Sequence, residues 1–425
     1  MSTRLRGSLL LTPLLLQMAM APALAQSRQI VWPYSNRFAP TGSANEPWSL
    51  LNSAAGASQG GVVEVQGGWF FGAQRIDKPC KLTRKTSDGP VKIGARPLAQ
   101  TSLRCVAFNA RLNGQSGALA YALPLGWADA ARAEKIRDYD FGSPDFIGYC
   151  EVWNRTWYDN YLKNTPGMPY GIGGFNTCYS SAPNVCTAQH SGLCAVSRWP
   201  LANTGQYSYA YNAVGEDYSY ANKGWIKGRM EKDGFGIWGY MVHTQADAEL
   251  ASWSNINFYR AAQVDMLVKD IKDTQAANPG DVVVMMGDFN VYGEDRSPGG
   301  VMNEYTKTLK EKLQPIEGMD CARHFFPLRT EHTYSKDNSL ITYWDKGYDT
   351  DTYSGRLDYL FCFPSGNRKV FIEPLDYAVI RATVSPAIQS VAYDGVRNLG
   401  YNHTDSNLSD HYAVRGDFRI VRISN

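Results

Sequence analysis

SNINFYRAAQVDMLVKDIKDTQAANPGDVVVMMGDFN, residues 254–290, decides the fold class. Ala261, Val264, Leu267, Val268 and Ile271 recur at helical spacing, so Ser254–Gln275 reads as an amphipathic helix that supports a core. Asn278-Pro279-Gly280 stops it, since proline cannot continue the hydrogen-bond ladder and glycine lets the chain turn. Asp281–Met286 follows as an apolar, β-branched strand, and Gly287-Asp288-Phe289-Asn290 puts polar side chains at its end. Outward from this unit, Leu103–Asn109, Asp145–Cys150, Gly192–Ser197, Gly236–Val242 and Leu357–Phe363 read as further strands among helical patterns. The expected fold is α/β, a sandwich of β-sheets flanked by helices.

Residues 26–100 have a different texture. Gly60-Gly61-Val62-Val63-Glu64-Val65, Ile76-Asp77-Lys78-Pro79-Cys80-Lys81-Leu82 and Gly89-Pro90-Val91-Lys92-Ile93-Gly94 are short β-prone runs cut by Gly and Pro. Their spacing looks like a turn or two of a right-handed β-helix, too few coils to bury a core alone, so this extension is expected to pack on the domain that follows. Ahead of it, Arg4 and Arg6, the apolar run Leu9–Leu16 and Ala23-Leu24-Ala25 form the pattern of a secretory signal, residues 1–25. The division is therefore a signal peptide 1–25, a β-rich extension 26–100 and a catalytic domain 101–425, in a protein expected to work outside the cytoplasm, extracellular or periplasmic.

Composition narrows the classes. The chain of 425 residues carries 42 Lys+Arg and 40 Asp+Glu; removing the leader takes away two positive charges and leaves no net charge, which argues against a large basic nucleic-acid footprint. No other stretch approaches the ~18 consecutive apolar residues of a membrane-spanning helix. Of the eight cysteines, Cys178 and Cys186 make the best local disulfide pair, whereas Cys105, Cys150, Cys194 and Cys362 sit inside apolar runs where a free buried thiol is equally consistent. No Cys-x-x-Cys occurs, so a structural zinc site is not indicated.

The chemistry gathers at strand ends: Asn109 with Arg111, Cys150-Glu151, Val242-His243-Thr244-Gln245, Asp288 with Asn290, Arg356-Leu357-Asp358-Tyr359 and Leu408-Ser409-Asp410-His411-Tyr412. Side chains at the ends of neighbouring strands converge on one rim. The set holds carboxylates, carboxamides and imidazoles and lacks a Gly-x-Ser-x-Gly nucleophile elbow, which suits metal-assisted hydrolysis. Glu151 and Asn109 offer the hard oxygen ligands that Mg²⁺ takes. His411, beside Asp410 in sequence and expected beside Asp358 in space, can take a proton from water with one ring nitrogen while a carboxylate orients the other. His190, His324 and His332 read as ordinary surface or core histidines, and the loop-like context of His403 leaves it open.

Gly287-Asp288-Phe289-Asn290, Arg356-Leu357-Asp358-Tyr359 and Ser409-Asp410-His411, in that order behind Asn109 and Glu151, resemble the endonuclease/exonuclease/phosphatase superfamily over residues 101–420. The resemblance implies a four-layer α/β sandwich of two packed sheets flanked by helices, and divalent-cation-dependent cleavage of a phosphoester by water. It implies Glu151 as the main metal ligand with Asn109 assisting, and His411 as general base held by Asp358 with Asp410 beside it. Asp288 and Asn290 would position the attacking water and a phosphoryl oxygen, and His243 would donate to a non-bridging or leaving oxygen. Whether Asp288 instead binds a second metal, or itself activates water, stays open. Mg²⁺ is the implied cation, with Mn²⁺ or Co²⁺ as substitutes. Cys150 departs from the pattern, because many members place Gln before the Glu.

The segment Val242-His243-Thr244-Gln245-Ala246-Asp247 is similar to the His-x-Gln-Ala neighbourhood of secreted bacterial sphingomyelinases, and Gly192–Pro200 and Lys223-Gly224 look like middle strands of that branch. The implied reaction is hydrolysis of sphingomyelin to ceramide and phosphocholine by a monomer in peripheral contact with a membrane, with no nucleic-acid partner. The alternatives are an extracellular nuclease of the same fold and a non-catalytic surface-binding member. With 11 Trp and 26 Tyr, many in Gln206–Tyr220 and Leu340–Tyr353, amphipathic rings are available for a lipid–water interface. Tyr377–Ile388 is a candidate apolar hairpin that could dip into a bilayer, or an ordinary pair of half-buried strands.

Overall fold

The computed structural model describes residues 62–65, 69–71, 74–76, 80–83, 97–112, 128–174, 191–210, 223–247, 253–293, 304–326, 332–344, 354–393 and 398–423. The leader-like segment and the Cys178–Cys186 pair lie outside these residues. In the extension, β1 (Val62–Val65) pairs with β4 (Cys80–Thr83) and β2 (Trp69–Phe71) with β3 (Gln74–Ile76), both antiparallel. The parallel rungs of a β-helix are not among the described residues.

Two mixed six-stranded sheets form the body. In chain order the strands are β5 (Pro97–Leu112), β6 (Phe146–Val152), β7 (Tyr170–Gly173), β8 (Cys194–Ser197), β9 (Ala202–Ser208), β10 (Gly224–Lys232), β11 (Phe235–His243), β12 (Val282–Asp288), β13 (Met319–Asp320), β14 (Asp358–Phe363), β15 (Val370–Ile380), β16 (Thr383–Tyr393), β17 (Asn398–Asn407) and β18 (Ala413–Ile423). One sheet has the order β13-β14-β12-β11-β10-β9 and the other β15-β18-β5-β6-β8-β7. The pairs β11–β12 and β5–β6 are parallel, and the other pairs within these two sheets are antiparallel.

Side-chain alternation shows why this is a four-layer sandwich. Leu103, Cys105 and Ala107 of β5, Phe146 and Cys150 of β6, Ile237 and Met241 of β11, and Val282, Val284 and Met286 of β12 meet in one core between the sheets. The intervening Val106, Phe108, Ile147 and Tyr149 pack with Ala133 and Ile136 of α1 (Asp129–Asp138) and with Tyr158 of α2 (Arg155–Asn160). On the far side Trp238, Tyr240, Val283 and Met285 pack with Val264, Leu267 and Ile271 of α3 (Trp253–Ala277). Both faces of β11 and β12 are dry, so their sequences are apolar without a polar alternate. The sheets approach closely: a Cβ on Gly148 would lie 2.3 Å from Met241 Sδ.

The expected helix and six strands are present with ends shifted by a few residues. Helix α3 does more than support the core. Its fully buried Arg260 donates to Gln245 O (2.7 Å) and pairs with Glu304 (2.9 Å), tying down the chain after β11. Of the two readings of Tyr377–Ile388, ordinary half-buried strands is the one observed: β15 pairs with β18 and β16 with β17, and the hairpin present runs over residues 383–407. Tyr377 and Ile388 are buried and Val379, Ile380 and Val384 pack on the cores, because β15 continues the main sheet. In the described part of the aromatic loops, Tyr207 stacks on Trp225 (4.9 Å, 12°) and Tyr209 is buried. Cys105, Cys150, Cys194, Cys321 and Cys362 are free and buried. Among the described residues, no helix is long and apolar enough to cross a membrane.

Candidate active site

The parallel pairs bring the carboxyl ends of β5, β6, β11 and β12 to one rim, where β14 and β18 begin. Across three strands of one sheet, His243, Asp288 and Asp358 are register partners in a single row. In the other sheet Asn109 is the partner of Cys150, so Glu151 stands one residue beyond. Glu151 (φ 55°) and Asn290 (φ 49°) both have left-handed backbones, a conformation that costs a non-glycine residue of order 1–3 kcal/mol and concentrates at functional sites.

The eight residues singled out in the sequence form a connected group. Asn109 Nδ2 donates to Glu151 Oε1 (3.0 Å) and to Asp288 Oδ2 (2.9 Å). His243 Nε2 lies 3.6 Å from Asp288 Oδ2 and 3.9 Å from Glu151 Oε1. The Asn290 amide N–H donates to Asp288 Oδ1 (2.8 Å), and its side-chain NH₂ to Thr244 O (3.1 Å). His411 Nδ1 is 2.8 Å from Asp358 Oδ2. Ser409 Oγ donates to Asn109 O (2.7 Å) and lies 3.1 Å from Asp410 Oδ1, fastening the strand before His411 to the end of β5.

Charge crowding dominates the electrostatics. Burial and the neighbouring Asp358 push Asp288 up to about 7, with Glu151 adding to the effect. Burial opposes a proton on His411, but Asp358, Asp288 and Asp410 outweigh it and carry that imidazole up to about 10. His243 moves the other way: burial, Lys223 and His411 hold it well below the ordinary histidine range, so it is neutral. Burial also raises Asp410, yet Arg111 and His411 prevail and keep it ionised. Cys150 donates to Val242 O (3.3 Å), and burial pushes its thiol up, so it is inert.

These groups fit a divalent cation. Ligand atoms of Glu151, His243 and Asp288 lie within 4.8 Å of one another, as do those of Asp288, Asp358 and His411. Asp358 Oδ1 is buried without a hydrogen-bond partner among the described residues, so the cluster has acceptor capacity to spare. Asn109 differs from the expectation. Its NH₂ faces the two carboxylates while Oδ1 accepts from the Arg111 N–H (3.2 Å), because a pair of carboxylates needs a donor. For Asn109 to offer oxygen to a cation, its amide must turn over.

Other residues belong to the site without having stood out in the sequence. Lys223 Nζ, 2% exposed, lies 2.9 Å from His243 Nε2 and 5.5 Å from the Trp153 ring centroid. Thr333 Oγ1 accepts the amide N–H groups of Leu357 and Asp358 (both 3.0 Å), and the Tyr334 ring meets His411 edge to face at 5.2 Å. Arg111, which the sequence already placed beside Asn109 at the end of β5, pairs with Asp410. Lys223 follows a segment outside the described residues and Thr333 lies in irregular chain, so no periodicity marks them; only a lysine just ahead of a strand was there to notice. Of the remaining histidines, burial lowers His324 to about 4, His332 is exposed, and His403 lies in β17, its side chain outside the described residues, as is all of His190.

No protein-family model matches the chain. The sphingomyelinase C of Bacillus cereus is 24% identical over 306 residues, 68% of this chain and 82% of that protein. The solved sphingomyelinase C of Streptomyces griseocarneus superposes with TM-score 0.56 at 20% identity, covering 75% of this chain and 99% of the other. A beta toxin variant from Staphylococcus aureus, solved with bound magnesium ions, gives TM-score 0.56 at 19% identity over 74% and 99%. The chain thus has the fold of these solved structures and is similar in sequence to sphingomyelinase C.

Proposed function

We propose that the protein is a phosphodiesterase that hydrolyses sphingomyelin to ceramide and phosphocholine, working as a monomer in peripheral contact with a membrane and exported by its leader-like segment. One observation carries the chemistry: the His411–Asp358 couple stands over Asp288 beside the Glu151–Asn109 pair. The likeness to sphingomyelinase C supports the substrate, and the magnesium in the beta toxin structure supports Mg²⁺ as the cation, with Mn²⁺ or Co²⁺ as substitutes.

Glu151, Asp288 and a turned Asn109 would hold the cation, which when bound supplies positive charge against the phosphoryl oxygens. Asp358 accepts from Nδ1 of His411 and leaves Nε2 to take a proton from the attacking water. Asp358, Asp288 and Asp410 together hold a proton on His411 up to about pH 10, so Nε2 would serve as a base only where those carboxylate charges are offset. Asn290, fixed by its bonds to Asp288 and Thr244, orients water and a phosphoryl oxygen. Neutral His243, whose Nε2 accepts from the Lys223 ammonium (2.9 Å), would donate through its other ring nitrogen to oxygen on which charge develops.

The test is phosphocholine release from sphingomyelin liposomes with Mg²⁺, repeated with EDTA and with plasmid DNA offered in place of lipid. Metal-dependent lipid turnover with intact DNA is the expected result. DNA cleavage without lipid turnover would move the substrate to nucleic acid.

A further inference from the structure

We infer that Thr333 is the positioning residue of the His411–Asp358 couple, its hydroxyl fixing the strand that carries Asp358 and its carbonyl fixing the chain that carries His411; this rests on the phosphodiesterase reading above. The two partners are 53 residues apart in sequence, yet Nδ1 and Oδ2 stand at 2.8 Å. Asp358 opens β14 and His411 leads into β18, strands of different sheets, so no shared ladder sets that distance. Thr333 lies between them. Its Oγ1 accepts the N–H groups of Leu357 and Asp358 (both 3.0 Å) and its own N–H donates to Gly355 O (3.0 Å). On the other side its carbonyl accepts the N–H of Tyr412 (2.7 Å), the residue after His411. Tyr334 extends the arrangement, with antiparallel bridges to both Gly355 and His411.

The carboxylate has little else to aim it. Asp358 Oδ2 meets His411, and Oδ1 has no hydrogen-bond partner among the described residues, so the side chain takes its direction from the main chain that Thr333 holds. Any residue at 333 could make the backbone bonds, whereas the shared acceptor for two adjacent N–H groups comes from the side chain alone. Thr333 is fully buried, so removing its hydroxyl leaves those donors without water to turn to, and the start of β14 must shift to satisfy them. The far end of the segment is tied to the same catalytic run. Fully buried Asn338 donates to Ser409 O (2.8 Å) and accepts the Leu340 N–H (3.0 Å), while Tyr412 donates its hydroxyl to Asp337 (3.0 Å). Residues 333–338 thus splint the general base to its carboxylate.

The test compares Thr333→Val, which keeps the shape and loses the acceptor, with Thr333→Ser, which keeps the acceptor, in the full-length, Mg²⁺-supplemented protein. The readouts are kcat and KM on bis(p-nitrophenyl) phosphate and on sphingomyelin liposomes, Mg²⁺ affinity by calorimetry, and the His411 Nδ1–H resonance by proton NMR. Thr333→Val is expected to lower kcat about 10²-fold, the cost of a misplacement of roughly 1 Å, with KM and Mg²⁺ affinity near the parent and the Nδ1–H resonance shifted. Thr333→Ser is expected to hold kcat within about threefold, since its hydroxyl offers the same lone pairs. Thr333→Ala, which leaves room for a water at the two N–H groups, decides the matter if Thr333→Val does not fold; its kcat is expected to fall while that of Thr333→Ser holds. Parent-like kcat in folded Thr333→Val or Thr333→Ala overturns the assignment. So does an equal loss in Thr333→Ser, or a lowered thermal midpoint with kcat and resonance unmoved, the mark of a brace without a part in the reaction. If the parent cleaves bis(p-nitrophenyl) phosphate but not sphingomyelin, the substrate reading falls while kcat on the small diester still judges Thr333. If the parent cleaves neither, the phosphodiesterase reading falls, and the resonance decides: a shift in Thr333→Val upholds the positioning and an unmoved signal overturns it.

Discussion

Replacing Asp358 by Asn removes one charge and keeps the shape of the side chain. Asp358 is 1% exposed and 2.8 Å from His411 Nδ1, and it is the largest contributor raising that imidazole from 6.5 to about 10. The whole displacement is worth at most ~5 kcal/mol between the charged and neutral ring. Because the folded value lies above the unfolded one, this stabilisation is fully present below about pH 6.5 and is lost as pH rises through about 10. In Asp358→Asn the largest raising contribution is gone and only Asp288 and Asp410 oppose burial, so the ring should titrate well below 10 and the slope should shrink. The carboxamide also presents an N–H to Nδ1, which favours the tautomer with its proton on Nε2, the wrong one for taking a proton from water; a loss on the order of 10²–10⁴ in kcat is expected. Urea unfolding of both proteins at pH 6 and pH 10, an NMR titration of the histidine ring protons and kcat at saturating Mg²⁺ make the assay. A kcat within about threefold of the parent, or a His411 that still titrates near 10, would refute the reasoning.

Asp288 at about 7 means that protons compete with a cation there; Mg²⁺ binding should weaken as pH falls below about 7 and should release protons, read by calorimetry in buffers of different ionisation enthalpy. Glu151→Gln should abolish most Mg²⁺ binding and turnover and shift the thermal midpoint little, since Glu151 is half-buried at the rim; tight Mg²⁺ binding by this variant would reassign the ligand. Arg356 is fully buried in a two-bond pair with Asp320 (2.8 Å each), so Arg356→Met should cost about 3–5 kcal/mol in urea unfolding by stranding the Asp320 carboxylate. Chelation by EDTA should stop phosphodiester turnover, with added Mg²⁺ restoring it.

Much of the fold was legible because central strands buried on both faces leave an unmistakable mark, as in Val282-Val283-Val284-Met285-Met286. The strands least marked in the sequence are peripheral or carry charge: β9 is exposed along much of its length, and β10 alternates Lys227, Arg229 and Glu231 with its other residues. Two readings of Tyr377–Ile388 stayed open in the sequence because the segment has the same apolar composition whether it continues a sheet or folds on itself. Pairing register is a long-range property, and here β18, some 35 residues on, claims β15.

Ordered motifs at strand ends were enough to name Asn109, Glu151, His243, Asp288, Asn290, Asp358, Asp410 and His411, because residues at the carboxyl ends of parallel strands share a rim whatever the connecting loops do. Their chemical states were decided by tertiary structure. Burial and the spacing of charges make His243 neutral, His411 an imidazolium and Asp288 half-ionised near neutrality, and none of these depends on sequence neighbours. The same holds for Lys223, which meets His243 because the next residue, Gly224, is the register partner of His243. Periodicity is a local property that a single strand or helix displays by itself; electrostatics inside a protein is set by distances across sheets, and those exist only after the chain has folded.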